Sequence, residues 1–167
     1  MTLQDAKQLH AYMAWADNRI FEALAQIPAG QYMEDLKSSH GGIHGTLVHL
    51  VGAQKMWVSR WLGAPDARYL SATDVPTLKD LKAVWEKTGF ETAKFFGSIT
   101  DKKLSDSITW TLSGGQSNTQ TIAQTLQHVV DHSTFHRGQV VAMMRQQGIK
   151  PPPTGLIGYL RETAKLI

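Results

Sequence analysis

Three histidines stand four residues apart in the segment HVVDHSTFHRGQV, residues 128–140. In an α-helix, residues four apart lie on the same side and about 6 Å apart along the axis. Two imidazoles at this separation can converge on one ion, for example zinc with Zn–N bonds of about 2.0–2.1 Å. His128 and His136 would lie about 12 Å apart, too far to share an ion. The spacing therefore predicts that one neighbouring pair binds a metal and that another segment completes the site.

His132 and His136 are the preferred pair because they flank the centre of an apolar stripe on this helix. The stripe consists of Val129, Ser133, His136 and Val140. Since such a stripe faces the core, both imidazoles are expected to point inward. His128 lies nearer the edge of the stripe, where it is either a hydrogen-bonding group behind a ligand or a partly exposed residue.

The third ligand is expected from a facing helix. The candidates are His10, His44 and His49. His49 is preferred because Gly45 and Gly52 share its face of the helix, where small residues let another backbone approach. A glycine inside a helix costs about 1 kcal/mol relative to alanine, so two of them indicate a compensating role such as tight packing around a site.

Other readings of these histidines were weighed against a metal site. Paired histidines also occur as hydrogen-bonded core residues, and in that case the protein would be an interaction module. Zincin peptidases carry glutamate directly after the first histidine, where this chain has Ser133. Di-iron bundles use Glu-x-x-His pairs, and the helices predicted over residues 43–62 and 120–147 contain none. The pattern therefore favours a histidine-only site, distinct from both of these enzyme classes.

The composition limits the remaining function classes. The chain has 167 residues and no cysteine, which excludes disulfides, zinc-thiolate sites and a cysteine nucleophile. Its net charge is only +3 and it contains no basic run, so no nucleic-acid partner is expected. No apolar run approaches the roughly 18 residues of a membrane span, and no secretion leader is evident. We expect a cytoplasmic protein with no membrane partner.

Apolar periodicity predicts a single domain over residues 1–167, an all-α four-helix bundle. The predicted long helices cover residues 2–27, 43–62, 77–99 and 120–147. Thr2 and Thr77 are expected N-caps, Pro28 and Pro65 are expected to stop the first two helices, and Gly89 weakens the third. Alternation of Ile108, Trp110 and Leu112 before Gly114-Gly115 predicts a short β-hairpin over residues 107–121, and a short closing helix is expected over residues 155–166.

Four segments of the chain resemble the DinB/YfiT-like family of metal-binding four-helix bundles. They are YMAWADNRIFEAL, IHGTLVHLVGAQKMWVSRWLG, LQHVVDHSTFHRGQVVAMMRQQG and PPPTGLIGYLR. The resemblance covers nearly the whole chain and implies a metal held by His49, His132 and His136, the same set that spacing favours. Some relatives transfer thiols such as bacillithiol, mycothiol or glutathione onto electrophiles, and others resemble metal-dependent hydrolases. The resemblance also implies a homodimer.

Three histidines leave at least one coordination position open, as in catalytic sites. Zinc or nickel is the expected ion, and a small thiol or water is the expected group to be activated. His128, Asp131 and Gln139 are candidates for hydrogen bonds to the ligands, while the general base stays unassigned.

Trp57 and Trp61 are candidates for lining a pocket beside the ion, but core packing is the more typical role of such residues. Arg137 is expected either to steer an anionic thiol or to remain a solvated surface residue. The alternative to an enzyme is a non-catalytic, stress-induced protein that binds a metal or a small ligand.

Overall fold

The computed structural model describes residues 1–64, 68–111 and 114–164. Its helices are α1 (Leu3–Leu24), α2 (Ala29–Tyr32), α3 (Ile43–Trp61), α4 (Leu78–Ser98), α5 (Ile122–Gln146) and α6 (Leu156–Thr163), with strands β1 (Ser107–Thr111) and β2 (Ser117–Thr121) and a 3-10 helix (Asp101–Ser105). The predicted all-α four-helix bundle with a hairpin before the last long helix and a short closing helix is confirmed.

Side-chain caps explain where the long helices begin. Thr2 accepts a hydrogen bond from the backbone N–H of Asp5, whose carboxylate accepts one from the Thr2 backbone in return. Thr121 and Gln124 form the same reciprocal arrangement at the start of α5, and Thr77 caps α4. Each cap satisfies backbone N–H groups that the first helical turn leaves without partners. These caps define the ends from which the site-bearing helices run.

The four long helices pack so that α1 and α3 each contact both α4 and α5. Their buried apolar residues form two clusters, one at each end of the bundle. The first cluster includes Ala16 on α1, Trp57 on α3 and Val130 on α5. The second includes Ile20, Val51 and Val140 on the same three helices. Between these two apolar clusters the bundle has a level of polar residues, and the histidines of interest lie at that level.

Several predicted boundaries differ from the structure. The first helix ends at Leu24, three residues before Ile27, because the chain turns there before Pro28 begins the short α2. Gly89 does not interrupt α4, which runs unbroken to Ser98. The short α2 and the 3-10 helix were not predicted, since each is only about one turn and carries no periodicity. Pro65 and Leu112 lie outside the described residues.

The hairpin follows the predicted alternation. Strands β1 and β2 are antiparallel, with Ser107 opposite Thr121 and Trp110 opposite Asn118. Ile108 and Trp110 point toward the first apolar cluster and pack against it. None of the helices in the three described stretches is long and apolar enough to cross a bilayer.

Candidate metal centre

Helices α3 and α5 bring three predicted histidines together. On α5, the rings of His132 and His136 have centroids 4.3 Å apart, as expected for residues one turn apart. The His49 ring on α3 lies 5.0 Å from the His132 ring and 4.5 Å from the His136 ring. The Nε2 atoms of His49 and His132 are only 3.1 Å apart. Imidazoles from two separate helices therefore meet in a single cluster.

A fourth histidine, His40, joins this cluster and was missed by the sequence reasoning. Its ring stacks on His49 with centroids 4.2 Å apart and an interplanar angle of 16°. One nitrogen from each of His40, His49 and His136 lies within 4.8 Å of the others. His40 stands in the turn before α3, where no helical or strand period marks a residue as inward-facing. The three histidines whose nitrogens all lie this close together are therefore His40, His49 and His136, and His132 adds the 3.1 Å contact of its Nε2 atom with His49.

Gly45 was the sequence feature that could have led to His40. A Cβ atom on Gly45 would clash with the carbonyl oxygen of His40, and one on Gly42 would clash with the carbonyl of Glu34. The loop before α3 therefore packs its backbone directly onto the first turn of that helix. Close backbone approach was predicted for this face, but the segment that approaches was not identified. Because Gly45 lacks a side chain, His40 can stand beside His49.

Burial favours the neutral form of His49, His132 and His136. It lowers the pKa of both His49 and His132 to about 4, and the neighbouring imidazoles contribute further lowering. Burial also lowers the pKa of His136, while its hydrogen bond with Gln139 works in the opposite direction. Neutral imidazoles present a lone pair, which is the form that binds metals. Near neutral pH these three imidazoles are therefore available as nitrogen ligands.

The candidates for hydrogen bonds to the ligands occupy different positions. The Gln139 Oε1 atom lies 2.8 Å from Nδ1 of His136, so Nδ1–H donates to this oxygen and Nε2 is left as the free lone pair. His128 is exposed, with its ring 5.7 Å from that of His132. Asp131 is exposed on the outer side of α5. Of the three, Gln139 alone is hydrogen-bonded to a cluster histidine in the part of the chain that is described.

The two rejected third-ligand candidates are core residues. His10 packs edge-on against Trp61 and Phe96, and its Nε2 lies 3.3 Å from the carbonyl oxygen of Leu126. His44 Nδ1 is 2.8 Å from the Tyr32 hydroxyl. Both imidazoles are therefore occupied by structural contacts rather than by the cluster.

Both expectations for Arg137 are wrong, because its side chain is neither exposed to solvent nor free to steer an anionic thiol. Its side chain is 2% exposed and forms an ion pair of 2.7 Å with Asp17, which is 3% exposed. Arg137 also donates to the Tyr12 hydroxyl, and Asp17 accepts from Gln54, which in turn donates to Ser133. This set, Tyr12, Asp17, Gln54, Ser133 and Arg137, is called the buried network below. It links α1, α3 and α5.

A cavity of about 300 Å³ opens beside the cluster. It is bordered by His49, His128 and His132 and by Trp57, Arg60 and Trp110. Small residues Gly52 and Ala53 on α3 also border it. Trp57 thus lines a pocket, whereas Trp61 is buried and donates its Nε1–H to the hydroxyl of Thr125. A small molecule could occupy this cavity while touching the histidine cluster.

The fold and the cluster together define a four-helix bundle protein with a histidine centre between two of its long helices. A family model for the DinB family matches residues 2–165. The chain belongs to the DinB family.

Individual relatives agree with this membership. The chain is similar to Protein DinB of Bacillus subtilis (strain 168), with 29% identity over 180 residues that cover 96% of this chain and 97% of the relative. Its fold is similar to that of a DinB-like protein from Bacillus cereus ATCC 10987, with a TM-score of 0.68 and 17% identity. That alignment covers 91% of this chain and 97% of the other chain, so the likeness extends over nearly the whole bundle.

Proposed function

We propose that this protein is a metal-dependent enzyme in which His49, His132 and His136 hold a divalent transition metal, with zinc or nickel as the first choices. The metal would activate a low-molecular-weight thiol or water toward an electrophilic substrate. The observation that carries the proposal is the 3.1 Å separation of the His49 and His132 Nε2 atoms across two helices. As further proposals, the enzyme is cytoplasmic and homodimeric, in line with the family resemblance.

The residues fit such an ion in geometry and in chemistry. Two nitrogens bound to one tetrahedral zinc at about 2.0–2.1 Å lie about 3.3 Å from each other, close to the separation observed. Without a cation, one of the two facing lone pairs must be replaced by an N–H donating to the other. The cluster contains only imidazoles, which suit zinc and nickel, and no thiolate can compete because the chain has no cysteine.

The chain's own residues would perform the supporting steps. A metal at the cluster would act as a Lewis acid and lower the pKa of a thiol or water that reaches it. Gln139 fixes the ring orientation and tautomer of His136, so that Nε2 faces the cluster. Gly52 and Ala53 leave room for a substrate beside His49. Since the chain has no cysteine, any sulfur nucleophile must arrive with the substrate.

The position of His40 favours a second candidate function. If all four imidazoles bind the ion, no position remains open in a tetrahedral site, and closed sites of this kind are structural rather than catalytic. The protein would then be the non-catalytic, stress-induced metal-binding protein considered from the sequence. The nitrogen of His40 that lies within 4.8 Å of nitrogens on His49 and His136 supports this candidate. If instead His40 stays out of the coordination shell, the open position required for catalysis is kept.

A conjugation assay separates the two candidates. Protein purified without an affinity tag is loaded with zinc or nickel and assayed with bacillithiol, mycothiol or glutathione and a generic electrophile, and hydrolysis of ester substrates is followed in parallel. The enzyme proposal expects turnover that His132→Ala abolishes and His40→Ala retains. Asp131→Ala, at the exposed position next to His132 on α5, is the control. Metal binding without turnover in the wild type, together with loss of metal in His40→Ala, would favour the non-catalytic candidate.

A further inference from the structure

Arg60 lines the same cavity as His49 and His132 of the histidine cluster. Its guanidinium carbon lies 4.7 Å from the centroid of the Trp57 ring and 5.2 Å from that of Trp110. Two indole rings thus hold one cation, an arrangement that restrains a flexible arginine side chain. The residue is only half-buried, so part of its guanidinium faces the cavity.

The cavity is lined by a positively charged side chain and by no negatively charged one. Its lining contains Arg60 and no carboxylate, and no ion pair connects Arg60 to residues 1–64, 68–111 or 114–164. The Nε atom of Arg60 is buried and has no hydrogen-bond partner there. Three other arginines in the described chain, Arg19, Arg68 and Arg137, do have carboxylate partners. A guanidinium remains charged in proteins, so among the described residues this cation has no carboxylate that neutralises it.

Helix geometry aligns Arg60 with the cluster. Arg60 follows His49 by eleven positions, close to three full turns, so both residues lie on the same face of α3. Their Cα atoms are separated by roughly 16 Å along the axis. The face between them carries Gly52, Ala53 and Met56, which border the cavity. The cavity therefore has cluster imidazoles and the Arg60 cation among its lining residues, with His49 and Arg60 three helical turns apart along α3.

We infer that Arg60 binds a carboxylate of the substrate, which carries this anion at one end and its reacting group at the other. A guanidinium recognises a carboxylate through two parallel N–H···O bonds, which fixes orientation as well as affinity. This inference rests on the proposed function, because it takes the histidine cluster as the place where the reacting group is held.

The test uses the full-length protein loaded with cobalt(II), whose visible absorption bands report an ion in the histidine cluster. Two thiol probes of equal length are titrated, mercaptohexanoate and the neutral mercaptohexanol, and thiolate-to-cobalt absorption gives each Kd. We expect the wild type to bind the acid at least about tenfold more tightly, as is typical of hydrogen bonds between charged groups. Arg60→Met should remove that preference while leaving the cobalt spectrum and the affinity for mercaptohexanol unchanged.

Three further variants make the result decisive. Arg145→Met removes an exposed arginine in the last turn of α5 and is the matched control, which should keep the preference. Arg60→Lys keeps the positive charge without the planar guanidinium and should retain part of the preference for the acid. This variant also provides the test if Arg60→Met is too unstable to purify. In His132→Ala, loss of the cobalt bands would show that the metal occupies the proposed centre.

Each outcome bears on one claim. An equal affinity of wild-type protein for the two probes, or a preference that survives Arg60→Met, would overturn the role of Arg60 while the metal proposal stands. A wild-type protein that binds no cobalt would overturn the proposed function, and the inference about Arg60 would fail with it.

Discussion

Two polar regions occupy the same level of the bundle and use neighbouring residues of α5, yet their chemistry is opposite. In the buried network, Ser133 and Arg137 find partners on α1 and α3, and donors meet acceptors throughout. In the histidine cluster, His132 and His136 face other imidazoles, and the Nε2 atoms of His49 and His132 lie 3.1 Å apart. The first region is complete within the described chain. The second would be completed by the metal ion of the proposed function.

The position of the buried network explains how the cluster is held. On α1, α3 and α5 its residues Asp17, Gln54 and Ser133 lie between the two apolar clusters. A polar level between apolar ones fixes the register of three helices, because sliding any helix would leave buried polar groups without partners. Since α3 and α5 also carry the histidines, the buried network fixes the distance between the imidazoles. The complete region therefore positions the incomplete one.

The largest expected effect comes from breaking the buried network. Arg137→Met leaves the Asp17 carboxylate buried without its cation, and we expect a loss of roughly 3–5 kcal/mol in the free energy of unfolding. Urea denaturation of the metal-free protein measures this loss. The double variant Asp17→Leu/Arg137→Met should be clearly more stable than the single one. A single variant within about 1 kcal/mol of the wild type would show that the ion pair has no such role.

Removing a cluster histidine should change stability little and metal affinity strongly. In His132→Ala the metal-free protein should keep its stability within about 1 kcal/mol, because the ring is only half-buried and has no obligatory partner. Zinc affinity should fall by more than about 100-fold, which exceeds the 10–100-fold effect usual for residues behind the ligands. Competition with a chelator of known affinity measures it. Comparable stability losses in His132→Ala and Arg137→Met would erase the proposed distinction between the regions.

Gln139→Leu tests whether the hydrogen bond between His136 and Gln139 contributes to metal affinity. The substitution removes the acceptor for Nδ1–H of His136 without touching a ligand nitrogen, and zinc affinity is expected to fall about 10-fold to 100-fold. The same chelator competition is used, and Asp131→Asn on the exposed side of α5 is the control that should change little. An unchanged affinity in Gln139→Leu would mean that packing alone orients His136.

The smallest expected effect is the contribution of His10 to the pH dependence of stability. Burial lowers its pKa to about 4 from an ordinary value of 6.5, so folding disfavours its protonated form. Its contribution to stability is complete above pH 6.5 and is lost as the pH falls toward 4. Between pH 6.5 and 5.5 it accounts for a loss of about 1 kcal/mol.

The variant His10→Gln isolates this contribution, because it keeps a donor for the Leu126 carbonyl but does not titrate in this range. Unfolding free energies of the metal-free variant should depend less on pH than those of the wild type, by about that amount. Identical pH profiles for the two proteins would place the acid sensitivity elsewhere, for example in His49 and His132, whose pKa is also lowered to about 4.

The sequence allowed prediction of features that repeat along a helix. The bundle, the hairpin and the meeting of His49 with His132 and His136 follow from periodicity and from the family resemblance. His40 was missed because it stands in a turn, where only the glycine pattern of α3 hinted at a backbone in contact. Arg137 was misjudged because an isolated arginine on a helix is usually solvated. Its burial depends on Asp17, which is 120 positions away in the chain and unrelated to it by any local pattern.

The claim that imidazoles from α3 and α5 share one metal ion is tested most directly by counting metal in purified protein. Untagged wild-type protein, loaded with zinc or nickel and dialysed, should retain about one ion per chain. His49→Ala and His132→Ala, prepared identically, should retain less than about 0.2, while His10→Gln should match the wild type. Retention of the full amount by His49→Ala, or none by the folded wild type, would contradict a metal centre between these helices.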